Sequence, residues 1–364
     1  IWALALMSML TQHYYLPLAG HVKWNPQDPK PCIVVLPYDT VSLIVAESSD
    51  ADFSSVSRKG LRPAKEICSL VPELPVSGDS PQLLSLQVTL FPNQGFSIGI
   101  VSHHVFMDAI TAQMFIKSWA HICKHGAKAL PEDLTPFLDR TVIYVPDGLE
   151  EKMLEFLLYL SEDKDNGRTL KLPLTEETDA DVYRVTLELT LENVEKLKER
   201  AKNGSNRPHL ELHLPTFVIV NAYLWTCLVK ARGGETGYVP RTYSGVCVFA
   251  ISCLGYKAKS FLGEDGFINV DRMKNIERGT QVWGVSGSKR FSVYESDFGW
   301  GRPVNSEIVS IDQCQLLSMS EMRDETGGVE IGLCLKKSEM DVFIYLFKKG
   351  FENYFFLMAS YSRL

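Results

Sequence analysis

The stretch from Leu83 to Gly126 constrains this chain more than any other. Leu83-Leu84-Ser85-Leu86-Gln87-Val88-Thr89-Leu90 and Gly95-Phe96-Ser97-Ile98-Gly99-Ile100-Val101 are β-rich runs separated by Phe91-Pro92-Asn93-Gln94, which predicts a hairpin. The second run leads straight into Ser102-His103-His104. Beyond it, Ala112, Phe115, Ile116, Trp119 and Cys123 recur at helical spacing until Lys124-His125-Gly126, a basic last turn followed by a glycine stop. His103 to Asp108 therefore occupy a strand-to-helix junction, where backbone N–H groups lack ladder partners and side chains face a cleft.

At 364 residues the chain is too long for one ordinary core and suits two domains. A charged, irregular stretch over 161–181 (SEDKDNGRTLKLPLTEETDAD) reads as a crossover linker, dividing the chain into 1–160 and 182–364. In the second part, Thr190 as N-cap with Val194, Leu197 and Ala201 predicts one helix, Thr216 to Arg232 another, and Lys337 to Lys348 a last one. Strands are expected at Tyr243–Ala250, Arg290–Tyr294, Ile308–Ile311 and Gly328–Leu335, giving an α/β chain without a strict βαβ rhythm. Asn203-Gly204-Ser205 reads as a helix-ending turn rather than a glycosylation site.

A net charge of −7 argues against nucleic acid or anionic lipid as a partner. Eight cysteines, none at C-x-x-C spacing, disfavour disulfide scaffolds and zinc ribbons. The opening IWALALMSML is too short to span a bilayer and has no basic region before it, so a cytoplasmic, membrane-free protein is expected.

A histidine followed four residues later by an acid occurs about once by chance among eight histidines and 44 acidic residues. For His104-Val105-Phe106-Met107-Asp108 the junction gives context: a neutral imidazole there can take a proton from a bound hydroxyl near pH 7. A half-buried histidine with an ordinary structural partner is the competing reading. His103, His104 and Asp108 have no fourth ligand at zinc-like spacing, so no metal is expected. Asp297-Phe298-Gly299 matches the kinase magnesium tripeptide, but no histidine after His213 supplies the required catalytic loop. Gly284-Val285-Ser286-Gly287-Ser288 fails as a nucleophile elbow at its fifth position.

Asp297-Phe298-Gly299-Trp300-Gly301-Arg302-Pro303, together with the strand-borne S-H-H-V-F-M-D, resembles the plant BAHD acyl-CoA transferases. The resemblance extends through Tyr14-Tyr15-Leu16-Pro17-Leu18-Ala19-Gly20, Pro136-Phe137-Leu138-Asp139-Arg140, Ala222-Tyr223-Leu224-Trp225-Thr226-Cys227 and Gly327-Gly328-Val329-Glu330-Ile331-Gly332-Leu333, nearly the whole chain. It is strongest toward the branch that malonylates phenolic glucosides, anthocyanins included. It implies two chloramphenicol-acetyltransferase-like domains, mixed sheets flanked by helices, and a substrate channel between them. It also implies a monomer with no tightly bound cofactor, using malonyl-CoA or another acyl-CoA as co-substrate and a phenolic glucoside as acceptor.

By the same resemblance His104 is the general base, and His103 and Asp108 support its loop; in relatives the aspartate pairs with an arginine, which the deletion after Ala250 removes here. Arg140 is the candidate clamp for a malonyl carboxylate, with a turn-capping role or a pairing with Asp139 as the alternative. Ser286, Ser288, Lys289 and Arg290 are expected at the coenzyme, and Asp297 to Gly301 in architecture. Against the family pattern, Ile251-Ser252 runs almost at once into Cys253-Leu254-Gly255-Tyr256, so an Asp-Cys-Arg stretch, a Pro-rich loop and Tyr-Phe-Gly-Asn-Cys are missing. The stretch between Phe267 and Thr280 is short, and the family's first strands would lie upstream of Ile1. The chain is therefore either an acyltransferase, with acetyl or hydroxycinnamoyl donors as alternatives to malonyl, or an impaired remnant or gene-model fragment that at most binds coenzyme A or phenolics.

Overall fold

The computed structural model describes residues 10–25, 27–28, 30–48, 53–77, 80–126, 129–142, 147–148, 151, 154, 181–204, 214–233, 243–246, 282–310, 317–324 and 327–352. In the first half the strands are β1 (His21–Lys23), β2 (Cys32–Val34), β3 (Ser42–Glu47), β4 (Arg62–Pro63), β5 (Val76–Ser77), β6 (Ser80–Pro81), β7 (Leu84–Phe91) and β8 (Gly95–Ser102). The helices α1 (Phe53–Ser57) and α2 (Ala64–Cys68) flank β4, and α3 (Ala109–His125) follows β8. Then come β9 (Val182–Leu189), α4 (Leu191–Asn203), α5 (Thr216–Ala231), β10 (Tyr243–Val246), β11 (Val282–Ser286), β12 (Leu317–Glu321), β13 (Val329–Lys336) and α6 (Lys337–Glu352).

The expected hairpin is β7 against β8, paired from Leu84↔Ser102 to Phe91↔Gly95, with β3 added in parallel along β7. Its alternating residues and α3 enclose one core. Phe115, Trp119 and Ile122 lie on one helical stripe and pack with Leu84, Leu86, Tyr15 and Leu18. Each of these large side chains is buried and contributes on the order of 1.5–3 kcal/mol of transfer free energy. α3 ends where the sequence requires, with Gly126 at φ 58° donating its N–H to the Ile122 carbonyl.

The second sheet has the order β10-β11-β12-β13-β9-β4, parallel across the first three strands and antiparallel across the rest. Val185, Leu187, Leu189, Ile331 and Leu333 of its central strands pack beneath α4, α5 and α6 through Leu197, Leu224, Phe343 and Phe347. The edge strand β4 comes from the first half of the chain, and Pro63, which has no N–H to donate, sits on that edge. β4 is locked by charge. Arg62 and Arg184, both fully buried, converge on the Glu307 carboxylate, where Arg184 Nε lies 2.9 Å from Oε2. Lys59 Nζ reaches Glu188 and the buried Glu330, each at 2.6 Å.

Two strand expectations change, and a third is met over its described residues. Arg290–Tyr294 is a turn leading into a 3-10 turn (Val293–Glu295), because Ser292 adopts φ 53° and cannot continue a ladder. The strand here is instead Val282–Ser286. Ile308 to Ser310 form no strand; the Ile308 carbonyl accepts from Arg184 rather than from a neighbouring strand. Of the expected strand Tyr243–Ala250, Tyr243–Val246 is formed, and 247–250 lie outside the described residues. So do 161–180 of the linker and 247–281 around the missing block.

Candidate active site

β8 ends by continuing its ladder one residue further, with the His103 N–H donating to the Leu83 carbonyl at 2.9 Å. The chain then turns, and the Phe106 N–H returns to the His103 carbonyl at 3.2 Å. His103 Nδ1 accepts the Val105 N–H at 3.2 Å, a local bond that braces the turn from inside. Phe106 and Met107 drop into the first core, 5% and 1% exposed, and anchor the far side of the loop. Asp108 closes it as the N-cap of α3, its Oδ1 accepting the Thr111 N–H at 2.7 Å.

His104 stands at the crest of this loop, reached by solvent as a residue but part-buried on the ring side that carries Nδ1. Its Nδ1 lies 3.0 Å from the Met107 carbonyl oxygen. A carbonyl only accepts, so Nδ1 carries the ring proton and the lone pair of the neutral imidazole is on Nε2. The protein crowded against the ring lowers its pKa below the usual histidine value, opposed by the Met107 bond and by the charge of Asp108. The lowered pKa leaves His104 a neutral imidazole near pH 7.

The Asp297–Gly301 motif sits elsewhere on the same helix. Asp297 Oδ1 accepts the N–H groups of Gly299 and Gly301 at 2.8 and 2.9 Å, and both glycines have left-handed φ, 103° and 96°. Its other oxygen meets Lys124 Nζ at 2.8 Å. That lysine and the two N–H groups hold the carboxyl pKa down to about 2. Phe298 packs edge-on to Trp119 with centroids 5.0 Å apart, and Trp300 packs on Phe96 of β8 at 5.3 Å. Trp119 lies eleven residues beyond the cap, about 16 Å along the helix, so the motif braces α3 and does not face His104.

The residues expected at the coenzyme form a third group. Ser286 ends β11 opposite Ser318. Gly287 follows at φ 99°, where an added Cβ would lie 2.5 Å from the Met319 carbonyl oxygen. Ser288 Oγ accepts the Arg290 N–H at 3.3 Å, and Lys289 Nζ reaches Thr216 at the start of α5, 3.4 Å away. Lys289 also lines a cavity of about 630 Å³ with Arg302, Glu321 and Arg323. Arg140 opens a 3-10 turn (Arg140–Val142), and its side chain lies outside the described residues. The neighbouring Asp139 is occupied by Thr141, whose N–H and Oγ1 lie 2.9 and 2.6 Å away.

Two functions of named residues escape the sequence reading. Asp108 is a helix cap, which an Asp immediately before a helical pattern does signal. The Arg62–Glu307–Arg184 cluster has no local signal, because its members are more than a hundred residues apart. Among the described residues no three His, Cys, Asp or Glu side chains gather as metal ligands, and no helix is long and apolar enough to cross a membrane.

A family model described as Transferase family matches residues 3–253 and 256–349. The chain belongs to the BAHD acyltransferase family. A BAHD acyltransferase of Arabidopsis thaliana is 51% identical, covering 96% of this chain and 85% of its own length. An agmatine coumaroyltransferase of the same plant is 49% identical over 95% and 85%, and phenolic glucoside malonyltransferase 2 is 44% identical over 93% and 83%. Vinorine synthase superposes with a TM-score of 0.63 at 14% identity, covering 94% of this chain and 82% of its own, which places the BAHD protein in the chloramphenicol-acetyltransferase-like fold. Members of this family use acyl-CoA as co-substrate.

Proposed function

We propose that this BAHD chain transfers an acyl group from acyl-CoA to an acceptor hydroxyl, with His104 as general base. The observation that carries the reading is the Nδ1 contact to the Met107 carbonyl, which fixes the ring proton on Nδ1 and leaves the lone pair of the neutral imidazole on Nε2. Nε2 takes the hydroxyl proton as the oxygen attacks the thioester carbonyl. The tetrahedral intermediate collapses with cleavage of the C–S bond, and the proton on Nε2 passes to the departing thiolate. Base catalysis of this kind contributes roughly 10²–10⁴-fold. His103 and Asp108 shape the loop, and Asp297 to Gly301 brace the helix behind it. Residues 1–160 and 182–364 form the two domains, with the linker 161–181 between them and the substrates meeting in the channel that the domains enclose. The working form is a cytoplasmic monomer.

Malonyl is the proposed donor and a phenolic glucoside the acceptor, supported by two malonyltransferase relatives at 44% identity. The donor-site assignments are Arg140 for the malonyl carboxylate and Ser286, Ser288, Lys289 and Arg290 for coenzyme A. A second reading, a hydroxycinnamoyl donor and an amine acceptor, is favoured by the 49% identical agmatine coumaroyltransferase. Parallel assays with malonyl-CoA plus a phenolic glucoside and coumaroyl-CoA plus agmatine decide between them. Malonyl transfer at least tenfold faster supports the first reading, and the reverse order replaces it with the second. In the first case Arg140→Ala lowers malonyl transfer at least roughly tenfold more than acetyl transfer, because only malonyl leaves a desolvated carboxylate without its bidentate partner. Equal losses assign Arg140 to the fold.

The internal deletion has support of its own. The family match breaks between 253 and 256, at the expected place. The alignment to the 51% relative runs over 389 residues but takes in 96% of this chain, about 349, leaving about 40 positions without a counterpart. Thiol release with none of malonyl-, acetyl- or coumaroyl-CoA would make this chain the impaired remnant.

A further inference from the structure

One short segment of the second half grips α3 along a single face. Gln113 Nε2 donates to Ser296 Oγ at 3.0 Å, Lys117 Nζ meets Glu295 at 2.8 Å and Lys124 Nζ meets Asp297 at 2.8 Å. Positions 113, 117 and 124 are one and three turns apart and share a side of the helix. The two ion pairs have exposed ends, and pairs of that kind contribute little to holding a geometry. The Gln113–Ser296 bond differs, since its residues are 8% and 4% exposed. A hydrogen bond sealed from water is directional, and breaking it strands a buried polar group. It is also the tie nearest the His104 loop, five residues from the Asp108 cap and so about 7.5 Å along the helix.

The geometry points to Gln113 and Ser296 as positioning residues for His104: their buried hydrogen bond fixes the rotation and height of the first turns of α3, and thereby the direction of the His104 Nε2 lone pair. The path between them is short and made of observed contacts. Gln113 sets the helix start, Asp108 ties that start to the loop through Thr111, Met107 is packed into the core beneath it, and the Met107 carbonyl holds His104 Nδ1. Core packing of Phe115, Trp119 and Ile122 holds the helix as a whole, so what the bond controls is the fine setting of its first turn, and a small shift there would carry the Met107 carbonyl with it and swing the imidazole off line. An error of about 1 Å in such a group costs up to roughly a hundredfold in rate.

The inference rests on His104 being the base, and its test has two arms that separate the two ideas. In the full chain, Gln113→Leu and Ser296→Ala are expected to lower kcat about ten- to a hundredfold while KM for acyl-CoA stays within about twofold. The double variant removes both polar partners, so it recovers the Tm lost by either single change while kcat stays low. Ser296→Thr, which keeps the hydroxyl, recovers most of the kcat lost in Ser296→Ala. Unchanged kcat in both single variants, or kcat that recovers with Tm in the double variant, overturns the proposal.

The second arm needs no turnover. In the chain labelled with 15N-histidine, with the His104 signal identified by His104→Gln, the parent shows Nδ1 protonated and Nε2 bare in the neutral form. Gln113→Leu and Ser296→Ala are expected to weaken that tautomer preference and move the titration midpoint. No change in either overturns the proposal whether or not the protein is active. A changed tautomer in a chain that transfers no acyl group upholds the positioning and sinks the acyltransferase reading. Should Gln113→Leu fail to fold, Ser296→Ala, which loses one oxygen, carries both arms.

Discussion

Replacing Glu307 by glutamine tests the charge lock that seats β4, a piece of the first half, in the second sheet. Arg62 and Arg184 are fully buried, and Glu307 is 10% exposed at the side chain. Thr186 Oγ1 and Asn305 Nδ2 also donate to Glu307 Oε1, each at 3.0 Å. Glutamine keeps the volume and one acceptor but takes the carboxylate away from two desolvated guanidinium groups. Removing one partner of a buried ion pair costs about 3–5 kcal/mol. At about 2–4 °C per kcal/mol for a cooperative unit of 150–250 residues, Tm should fall about 6–20 °C. Burial alone would raise the Glu307 pKa, but Arg184 and Arg62 outweigh it and hold the pKa below the ordinary glutamate value. A depressed carboxylate contributes its full stability above its unfolded pKa, about 4.3, and loses it as pH falls through the lower folded value. The gap between parent and variant in a thermal scan should therefore be constant from pH 5 to 8 and close only in acid below about 4. A Tm loss under about 2 °C at pH 7, or a gap that narrows toward neutral pH, would mean that the Glu307 charge does not hold β4 in the sheet.

Gly287→Ala should cost on the order of 1–3 kcal/mol, since it forces a side chain into φ 99° and against the Met319 carbonyl, and should raise KM for acyl-CoA if the 286–290 loop meets the coenzyme; calorimetry and initial rates read the two effects. Asp108→Ala should lower stability by about 1 kcal/mol through the lost cap, while Asp108→Asn, an equally good cap, should recover it; equal losses in urea unfolding would show that the charge matters and the cap does not.

What the sequence showed and what it hid divide along the range of the interactions. The hairpin, α3 and the His104 junction were legible because period, turn residues and the glycine stop act within a few residues. β9 was not, because Arg184 and Thr186 interrupt its apolar run and are tolerated only through Glu307, over 120 residues away. Arg290 to Tyr294 has strand-like composition, but the left-handed Ser292 turns the chain and itself lines the cavity that Lys289 also lines. The grip of Glu295-Ser296-Asp297 on α3 was equally hidden, since Gln113 and Ser296 are polar residues with no local pattern, joined only in the folded chain. The His104 tautomer could not be read at all from sequence, because it is set by which carbonyl the turn delivers to Nδ1.

The dependence of kcat/KM on pH, in the parent and in His104→Ala, shows whether His104 takes the acceptor's proton. The parent should lose activity as pH falls through an apparent pKa below the ordinary histidine value, because protein packed around the imidazole favours its neutral form. His104→Ala should fold, run at least about a hundredfold slower and show no such acidic limb. A variant that keeps both the parent's rate and its acidic limb would show that another group takes the proton and that His104 is not the base.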